Sequence, residues 1–245
     1  MSSRSFVSTS KLFSFEVFNR LCGRRVGIIG LGGVGSWAAE ALARSGLKKI
    51  TLIDFDHIVE SNINRQIHAT INTLGMSKTY AMSERLKLIN PKLDIVCYDD
   101  FFSDENYKKI LYEHDTDFWI DACDDLSAKI VLINSFDKNS RKNNILICGS
   151  AGGKTNPFPI FHKDLSKSEQ DPMLSKLRYN LRKNYGFSRQ GQMGIPVLFS
   201  KQNSIKFPKA ISSKIGCNGY GSIVNMTATF GMKASSIAIE ELLKR

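Results

Sequence analysis

Residues 27–46 read GIIGLGGVGSWAAEALARSG, an apolar run followed by a glycine-rich turn and a stretch of small residues. This pattern predicts a short buried strand over 26–29 that runs into a phosphate-binding loop. Gly30 allows the tight turn, Gly32 lets a ligand approach the backbone, and Gly35 lets the next helix pack against the strand. The loop alone leaves three ligands open: a dinucleotide for redox chemistry, an ATP that is split, or none.

The segments around the loop favour a nucleotide site over a glycine turn without a ligand. A helix predicted over 34–45 offers free N–H groups and the positive end of its dipole to an anion. Gly46 is the expected residue just past the end of this helix. A second strand, KKITLIDFD at 48–56, ends in acid, and Asp54 lies 24 residues after Gly30, where a ribose-binding carboxylate is expected.

The composition is that of a globular chain, with 23% charged and 42% apolar residues among 245. No apolar run approaches the roughly 18 residues of a membrane span, and Glu16 interrupts the basic N-terminal stretch that a transit peptide would need. The five cysteines are Cys22, Cys97, Cys123, Cys148 and Cys217. They form no CxxC pair, which argues against a structural zinc site and suits a reducing, cytoplasmic location.

Strand and helix patterns alternate along most of the chain. Helices are predicted over 77–90, 103–114, 126–143 and 222–244, separated by the strand-like segments KLDIVCYDDF, DFWIDACD and NILICGSAGG. Such alternation predicts an α/β fold with a doubly wound, mostly parallel, Rossmann-like sheet and ligands at the carboxyl ends of its strands. Residues 154–214 show no such alternation and are expected to form an irregular insertion before the C-terminal helix.

A single domain is expected to span residues 1–245. Its parts are an N-terminal arm, a nucleotide-binding core, a basic substrate-binding region and a closing segment, at 1–23, 24–153, 154–214 and 215–245.

The positive charge of the chain is concentrated in the basic region 154–214. This stretch holds 12 Lys and Arg against 3 Asp and Glu, out of a net charge of +11 for the whole chain. A localised positive field fits a polyanionic partner such as nucleic acid. A lysine-rich composition bias is the alternative, but a uniform bias would not leave the nucleotide half close to neutral.

The segment DFDHIVESNINRQIHA and the residues after it favour ATP over a redox dinucleotide. Arg65 and Lys78, in a loop and at a helix start, can clamp a triphosphate while its α-phosphorus is attacked. Asn62 and Gln66 add neutral donors. Asp124 ends a later strand, where it can hold Mg²⁺ against the phosphates. Singly, these residues could also be surface charges or a helix cap.

The motifs GLGGVGSWAAEALA, DFD, NINRQIH, GMSKT and DACD resemble the adenylating domain of the superfamily of ubiquitin-activating enzymes and bacterial activators of sulfur-carrier proteins. The resemblance implies that a carboxylate attacks the α-phosphate of ATP to give an acyl adenylate and pyrophosphate. It implies that Asp54 holds the ribose, that Asp124 holds magnesium, and that Arg65 and Lys78 act on the phosphates. The implied phosphate-binding residues further include Gly30, Gly32, Gly33, Gly35 and Asn62.

A narrower resemblance covers most of residues 26–240. SWAAEALARSG, NRQIHA, SAGGKTNP, DLSKSEQDPMLSKLR and NMTATFG are similar to the bacterial tRNA threonylcarbamoyladenosine dehydratases. It implies ATP-dependent ring closure of the threonylcarbamoyl side chain of a modified adenosine beside the tRNA anticodon, by a homodimer. The implied partner is tRNA and not DNA, with a cysteine-desulfurase sulfur-acceptor system as a weaker, family-based suggestion. An activator of a ubiquitin-like sulfur carrier is the alternative, although such activators usually carry the CxxC pairs that are absent here.

Two positions stay open within this resemblance. Family members usually carry an N-terminal arginine before Leu-Tyr-Gly, whereas this chain has Lys11 in SKLFS, so Lys11, Arg4 or Arg20 could supply that charge. Cys217 is interpreted as structural, with a sulfur-relay role as the alternative.

The segment LSKLRYNLRKN in the basic region predicts a helix. Leu174, Leu177 and Leu181 recur at helical spacing and would pack against the core. The cations on the other side are the expected tRNA contacts, namely Arg178, Arg182 and Lys183.

Overall fold

The computed structural model describes residues 4–138, 144–205 and 220–244. Within them, seven strands form one sheet in the order β3-β2-β1-β4-β5-β7-β6. The strands are β1 Arg25–Ile29, β2 Lys49–Ile53, β3 Asp94–Tyr98, β4 Phe118–Asp121, β5 Ile145–Cys148, β6 Ile160–Asp164 and β7 Pro196–Ser200. All neighbours pair in parallel except β6, which runs antiparallel to β7. The predicted α/β class and mostly parallel sheet are therefore confirmed.

Helices cover both faces of the sheet. They are α1 Val7–Ser10, α2 Phe15–Gly23, α3 Gly35–Arg44, α4 Lys78–Ile89, α5 Tyr107–Tyr112, α6 Leu126–Lys138, α7 Pro172–Asn184 and α8 Val224–Leu243. On one face α8 packs against α3, so closely that a Cβ at Gly231 would lie 2.5 Å from the carbonyl oxygen of Val34. On the other face α6 packs against α7. Two apolar clusters thus sandwich the sheet, as a doubly wound fold requires.

Strand β1 lies at the centre because every residue of RVGII is buried. A strand covered on both faces reads as a continuous apolar run instead of an alternating one. Gly27 pairs in register with Thr51 of β2 and Trp119 of β4, and a Cβ at Gly27 would lie 2.2 Å from the Trp119 ring. The missing side chain at Gly27 therefore makes room for the largest residue of the next strand.

A buried ion pair fastens α6 to the sheet below the carboxyl end of β4. The Lys129 Nζ lies 3.0 Å from the Asp121 Oδ2 and also donates to the carbonyl oxygen of Cys148 at 3.3 Å. Both side chains are at most 1% exposed. A buried charge needs such a partner, and this pair links β4, β5 and α6.

The expectation that residues 154–214 form an irregular insertion is wrong for the part of this stretch that is described. It contains β6, β7 and α7, and β7 pairs in parallel with β5 inside the sheet. β7 is short and apolar, and nothing in its five residues distinguishes a buried strand from a core loop. The strand order makes β7 harder still to predict, because β6 precedes β7 in the chain but lies at the edge of the sheet, on the outer side of β7.

Most predicted helix ends agree with the structure. Ser77 caps α4 by accepting a hydrogen bond from the Tyr80 N–H, and Gly46 follows α3 with φ of +95°. The helix expected over 103–114 is shorter and begins after Asn106, because Ser103 instead starts a turn whose N–H donates to the Asn106 side chain. Across the described ranges, we find no helix with the length and apolarity needed to traverse a lipid bilayer.

Candidate active site

The glycine loop after β1 contains three closely packed glycines, Gly30, Gly33 and Gly35, and one glycine beside open space, Gly32. Gly30 has φ of +87°, and a Cβ there would lie 2.7 Å from the backbone of Cys123. A Cβ at Gly35 would lie 1.8 Å from the carbonyl oxygen of Gly30, so only glycine lets α3 begin this close to the loop. A Cβ at Gly32 would meet no described atom within 4 Å. The space that a phosphate could enter therefore lies beside Gly32.

Asp54, at the end of β2, holds the glycine loop directly. Its Oδ2 accepts a hydrogen bond from the Leu31 N–H at 2.6 Å, and its Oδ1 accepts one from the Asp56 N–H at 2.9 Å. Burial raises the pKa of the Asp54 carboxyl, while the charge of Lys78 and these two N–H donors act against that rise. The structure thus gives Asp54 a role in shaping the loop, and its predicted contact with a ribose stays a prediction.

Lys78 is the first residue of α4 and is buried beside the same carboxylate. Its Nζ lies 2.6 Å from the Asp56 Oδ2 and 3.6 Å from the Asp54 Oδ1. Lys78 and the glycine loop therefore share the Asp54 carboxylate, and the predicted role of Lys78 on the phosphates stays a prediction. The sequence analysis did not identify Asp56, although DFD places it two residues after Asp54.

The turn after β2 places Asn62, Arg65 and Gln66 together. Asn62 is buried, and its Oδ1 accepts a hydrogen bond from the Val59 N–H at 3.2 Å. The Arg65 guanidinium donates to the Ser61 carbonyl oxygen at 2.6 Å. The Gln66 Oε1 is buried and has no hydrogen-bond partner within the described ranges. Such an atom needs explaining, and a bound ligand or water is one explanation.

Arg65 is held against the glycine loop by residues that are remote in sequence. The Trp37 Nε1 on α3 donates a hydrogen bond to the carbonyl oxygen of Arg65 at 3.0 Å. A Cβ at Gly33 would lie 2.8 Å from the Thr227 Cγ2 on α8 and 3.3 Å from the Arg65 Cγ. The loop, the arginine and two helices therefore meet at Gly33, and no spacing in the sequence indicates the contribution of α8.

Asp124 lies beyond the carboxyl end of β4, with its side chain exposed. No hydrogen bond or ion pair to its carboxylate occurs in the part of the chain that the structure describes. The described residues also contain no cluster of three or more His, Cys, Asp or Glu side chains that could hold a metal ion by itself. Any metal at Asp124 would therefore need ligands from a bound molecule.

Cys123, between Asp121 and Asp124, is not an activated thiol. Burial and the charge of Asp121 raise the pKa of the Cys123 thiol well above its ordinary value. Its Sγ lies 3.0 Å from the Asp121 Oδ1. The site therefore offers cations and backbone donors for phosphate chemistry, and this cysteine is no nucleophile.

His68 was quoted within NRQIH but given no role in the sequence analysis. Its side chain is 2% exposed, and neither ring nitrogen has a hydrogen-bond partner among the described residues. Burial, followed by the charges of Lys78 and Arg85, lowers the pKa of His68 from 6.5 to about 3. The imidazole is therefore neutral at physiological pH and lies in the field of the site's cations.

The three predicted tRNA contacts on α7 differ in their surroundings. The Leu174, Leu177 and Leu181 stripe is fully buried, as predicted. The Arg178 guanidinium donates to the carbonyl oxygens of Leu165 and Ser168 and to the Ser168 Oγ, at 3.1, 3.0 and 2.6 Å. Arg178 thus anchors the turn before α7, and the half-buried Arg182 donates from its Nε to the Ser188 carbonyl oxygen at 3.0 Å, whereas Lys183 is exposed.

The remaining candidates lie at the edges of the described chain. Lys11 is exposed, and the Arg20 guanidinium lies 3.5 Å from the carbonyl oxygen of Leu243, so the choice among Lys11, Arg4 and Arg20 stays open. Cys217 lies outside the described residues.

Comparisons with known proteins agree with this geometry. The model of the ThiF family matches residues 8–239. The tRNA threonylcarbamoyladenosine dehydratase of Haemophilus influenzae is 44% identical over 248 residues, covering 98% of this chain and 94% of the relative.

Solved structures of the Escherichia coli tRNA N6-threonylcarbamoyladenosine dehydratase TcdA are similar over nearly the whole chain. The complexes with ATP and with AMP each superpose with a TM-score of 0.89 at 34% identity, covering 98% of this chain and 94% of theirs. The fold described above is thus the fold of a protein that holds these nucleotides.

The open space beside Gly32 gives a first prediction. Gly32→Val adds a branched side chain where a Cβ would meet no described atom within 4 Å, so ATP affinity should fall at least tenfold while the thermal midpoint changes little. Gly35→Ala is the opposite case, because its Cβ collides with the Gly30 carbonyl and should lower the thermal midpoint. Calorimetric titration with ATP and thermal unfolding measure both. Unchanged ATP affinity in Gly32→Val would show that phosphate does not approach here.

His68 gives a second prediction, on pH dependence. Because the folded protein keeps His68 neutral down to pH of about 3, the unfolded chain binds this proton first on acidification. The free energy of unfolding should therefore lose roughly 2 kcal/mol from this group between pH 7 and pH 5. His68→Leu removes that component, so the stability of the variant relative to the wild type should rise by roughly 2 kcal/mol from pH 7 to pH 5. Denaturant unfolding at each pH measures this, and parallel curves would contradict it.

Proposed function

The chain belongs to the ThiF family, and we propose that it is an ATP-dependent tRNA threonylcarbamoyladenosine dehydratase. It closes the threonylcarbamoyl side chain of the modified adenosine beside the anticodon into a ring, with net loss of water. The observation that carries this proposal is the likeness, over 98% of the chain, to a dehydratase solved with ATP bound. In this chain the glycine loop, Arg65 and Lys78 converge at the same edge of the sheet.

The reaction follows from the chemistry of a carboxylate and a triphosphate. An oxygen of the threonyl carboxylate attacks the α-phosphorus, and the bond to the bridging oxygen of the β-phosphate breaks, releasing pyrophosphate. The carbamoyl group of the same side chain then attacks the activated carbonyl carbon and displaces AMP. A carboxylate is a poor acceptor until its oxygen becomes part of AMP, a good leaving group, and the ATP supplies that activation.

In this proposal the protein supplies charge and position. Arg65 and Lys78 stabilise the negative charge that develops on the α-phosphate, together with the N–H groups of the glycine loop. Asn62 and Gln66 donate to phosphate oxygens, and Asp54 contacts the ribose while it keeps Leu31 in place. Asp124 would hold Mg²⁺, an ion that commonly takes only one or two carboxylates besides substrate phosphates. When bound, that ion neutralises phosphate charge.

A homodimer is part of the proposal. The segment from Val59 to Tyr80, which carries Arg65 and Lys78, exposes several large apolar side chains, namely Val59, Ile63, Ile71, Leu74, Met76 and Tyr80. Their exposed fractions run from 38% at Ile63 to 79% at Ile71. Apolar side chains concentrated in this way mark protein–protein contacts, and a second copy of the chain is the proposed partner. We further propose a cytoplasmic location, while a sulfur-acceptor partner remains a family-based suggestion without a described contact.

The third prediction tests the reaction and its cations. Pyrophosphate release from ATP should be triggered by tRNA carrying threonylcarbamoyladenosine and not by a sulfur-carrier protein ending in Gly-Gly. Arg65→Ala should lower turnover about 10²–10³-fold, since one charge-assisted contact contributes roughly 3–4 kcal/mol in the transition state. Lys78→Ala should lower turnover similarly, and also stability, because it leaves Asp54 and Asp56 without their cation.

Lys87→Ala is the matched control for Lys78, because it removes an exposed lysine from the same helix. It should leave turnover unchanged. If only a sulfur-carrier protein ending in Gly-Gly triggers the release of pyrophosphate, the chain would be assigned to the activators of sulfur carriers. Near-wild-type turnover in Arg65→Ala and Lys78→Ala would contradict adenylation at this site.

The fourth prediction concerns the basic region. Arg182→Gln combined with Lys183→Gln should weaken tRNA binding and flatten its dependence on salt, because fewer counterions are released. ATP affinity should stay unchanged. Arg178 is left intact, since its hydrogen bonds support the turn before α7. The control is Lys108→Gln with Lys109→Gln, the same charge change on α5. If both double variants lose the same affinity for tRNA, tRNA binding would depend on the net charge of the protein and not on the basic face of α7.

A further inference from the structure

A cavity of about 490 Å³ lies apart from the glycine loop. This volume is within the range of roughly 300–1,000 Å³ for small-molecule sites. It is lined mainly by the residues that precede and begin α7 and by the ends of the two segments that flank 206–219: Ser168, Gln170, Asp171, Ser175, Arg178 and Tyr220. The mechanism above uses none of them.

The cavity belongs to the same edge of the sheet as the nucleotide site. The loop after β5 is tied to α7 by Asp171, whose carboxylate accepts hydrogen bonds from the Ser150 N–H at 2.7 Å and the Leu174 N–H at 3.0 Å. Strands β1, β4, β5 and β7 are parallel, so their carboxyl ends lie side by side. At about 4.8 Å per strand, the ends of β5 and β7 lie on the order of 10–15 Å from the glycine loop.

The carboxylates at the cavity are already paired. The Asp171 Oδ2 lies 4.0 Å from the buried Lys154 Nζ, and Glu169 forms an ion pair with Lys201 at 3.1 Å. Arg178 donates to the carbonyl oxygens of the turn before α7 and to the Ser168 hydroxyl, all of them neutral groups. The guanidinium of Arg178 therefore gives the cavity a positive charge, which suits a polar ligand rich in hydrogen-bond acceptors.

One wall of the cavity is aromatic and rigidly backed. Tyr220 packs on the glycines of the loop after β5, so that a Cβ at Gly153 would lie 2.8 Å from the Tyr220 Cδ1. Gln170 and Ser175, which carry a neutral amide and a hydroxyl, also line the cavity. An aromatic ring together with neutral amides and hydroxyls matches the way proteins hold an unpaired base, by stacking on its face and hydrogen bonding at its edge.

Gln170 provides an independent observation. With φ of +54° it is the one non-glycine in the described chain that takes a left-handed conformation. Residues with side chains rarely adopt this conformation unless their surroundings impose it, and such residues concentrate at ligand sites. Here the strained residue lines the cavity and directly precedes Asp171.

We propose that this cavity binds an unpaired base of the anticodon loop, next to the modified adenosine whose side chain enters the nucleotide site. The inference rests on the proposed function and extends it to a second contact with the RNA. It accounts for the polar lining, the aromatic wall and the position of the cavity at the start of α7.

The test uses kinetics on a full-length threonylcarbamoyladenosine tRNA. Ser175→Phe should fill the cavity and raise the KM for tRNA at least tenfold, with the KM for ATP within twofold of the wild type. Ser236→Phe, an exposed serine on α8, is the matched control and should change neither constant. Gln170→Gly removes the amide and relieves the backbone strain, so it should raise the KM for tRNA several-fold without lowering the thermal midpoint.

The substrate can be changed as well. Each base flanking the modified adenosine is replaced in turn by an abasic nucleotide. One replacement should raise the wild-type KM as much as Ser175→Phe does, and the combination with Ser175→Phe should add no further increase. The inference would be overturned if each of the two abasic nucleotides, combined with Ser175→Phe, raised the KM for tRNA by the same factor as it does with the wild type.

Three further outcomes separate a failure of this inference from a failure of the proposed function. Wild-type tRNA KM values in both Ser175→Phe and Gln170→Gly, with tRNA turnover intact, would overturn the inference while the proposed function stands. Inhibition of the wild type by free adenosine or cytidine below millimolar concentration, lost in Ser175→Phe, would reassign the cavity to a free nucleoside. Absence of turnover on tRNA by the wild type would overturn both proposals.

Discussion

The candidate site depends on how one buried carboxylate is satisfied. Asp54 is 8% exposed, and a carboxylate in that position needs hydrogen bonds or a cation. It obtains them from the Leu31 and Asp56 N–H groups and from Lys78. Each of these partners belongs to a different segment, so the glycine loop, the end of β2 and the start of α4 adopt positions that this one acid imposes.

The local parts of the fold could be predicted because their signals lie close together in sequence. The strand, glycine loop and helix at 25–44 each carry a local cause, such as the absent Cβ at Gly35. β7 could not be predicted as a sheet strand, because its pairing with β5 joins residues about 50 positions apart, such as Ile147 and Val197. The role of Arg178 was missed for a similar reason, since its partners are the carbonyl oxygens of Leu165 and Ser168 in a turn with no sequence signature.

The same limit applies to the site. The sequence analysis named Asp54, Arg65 and Lys78, and the structure brings all three to the carboxyl-end edge of the sheet. It did not identify Thr227, which contacts the loop from a helix 162 residues further along the chain than Arg65. Nor did it identify the neutral state of His68, which results from burial and neighbouring cations that no linear pattern reports.

Gly153 has a further consequence. Its carbonyl oxygen accepts from the Ile205 N–H at 2.7 Å, and its own N–H donates to the Gly221 carbonyl oxygen at 2.7 Å. One residue thus ties together the two points from which the chain leaves and returns around 206–219. These two hydrogen bonds therefore fix Ile205 and Gly221 to the loop after β5, at the edge of the sheet that carries the candidate site.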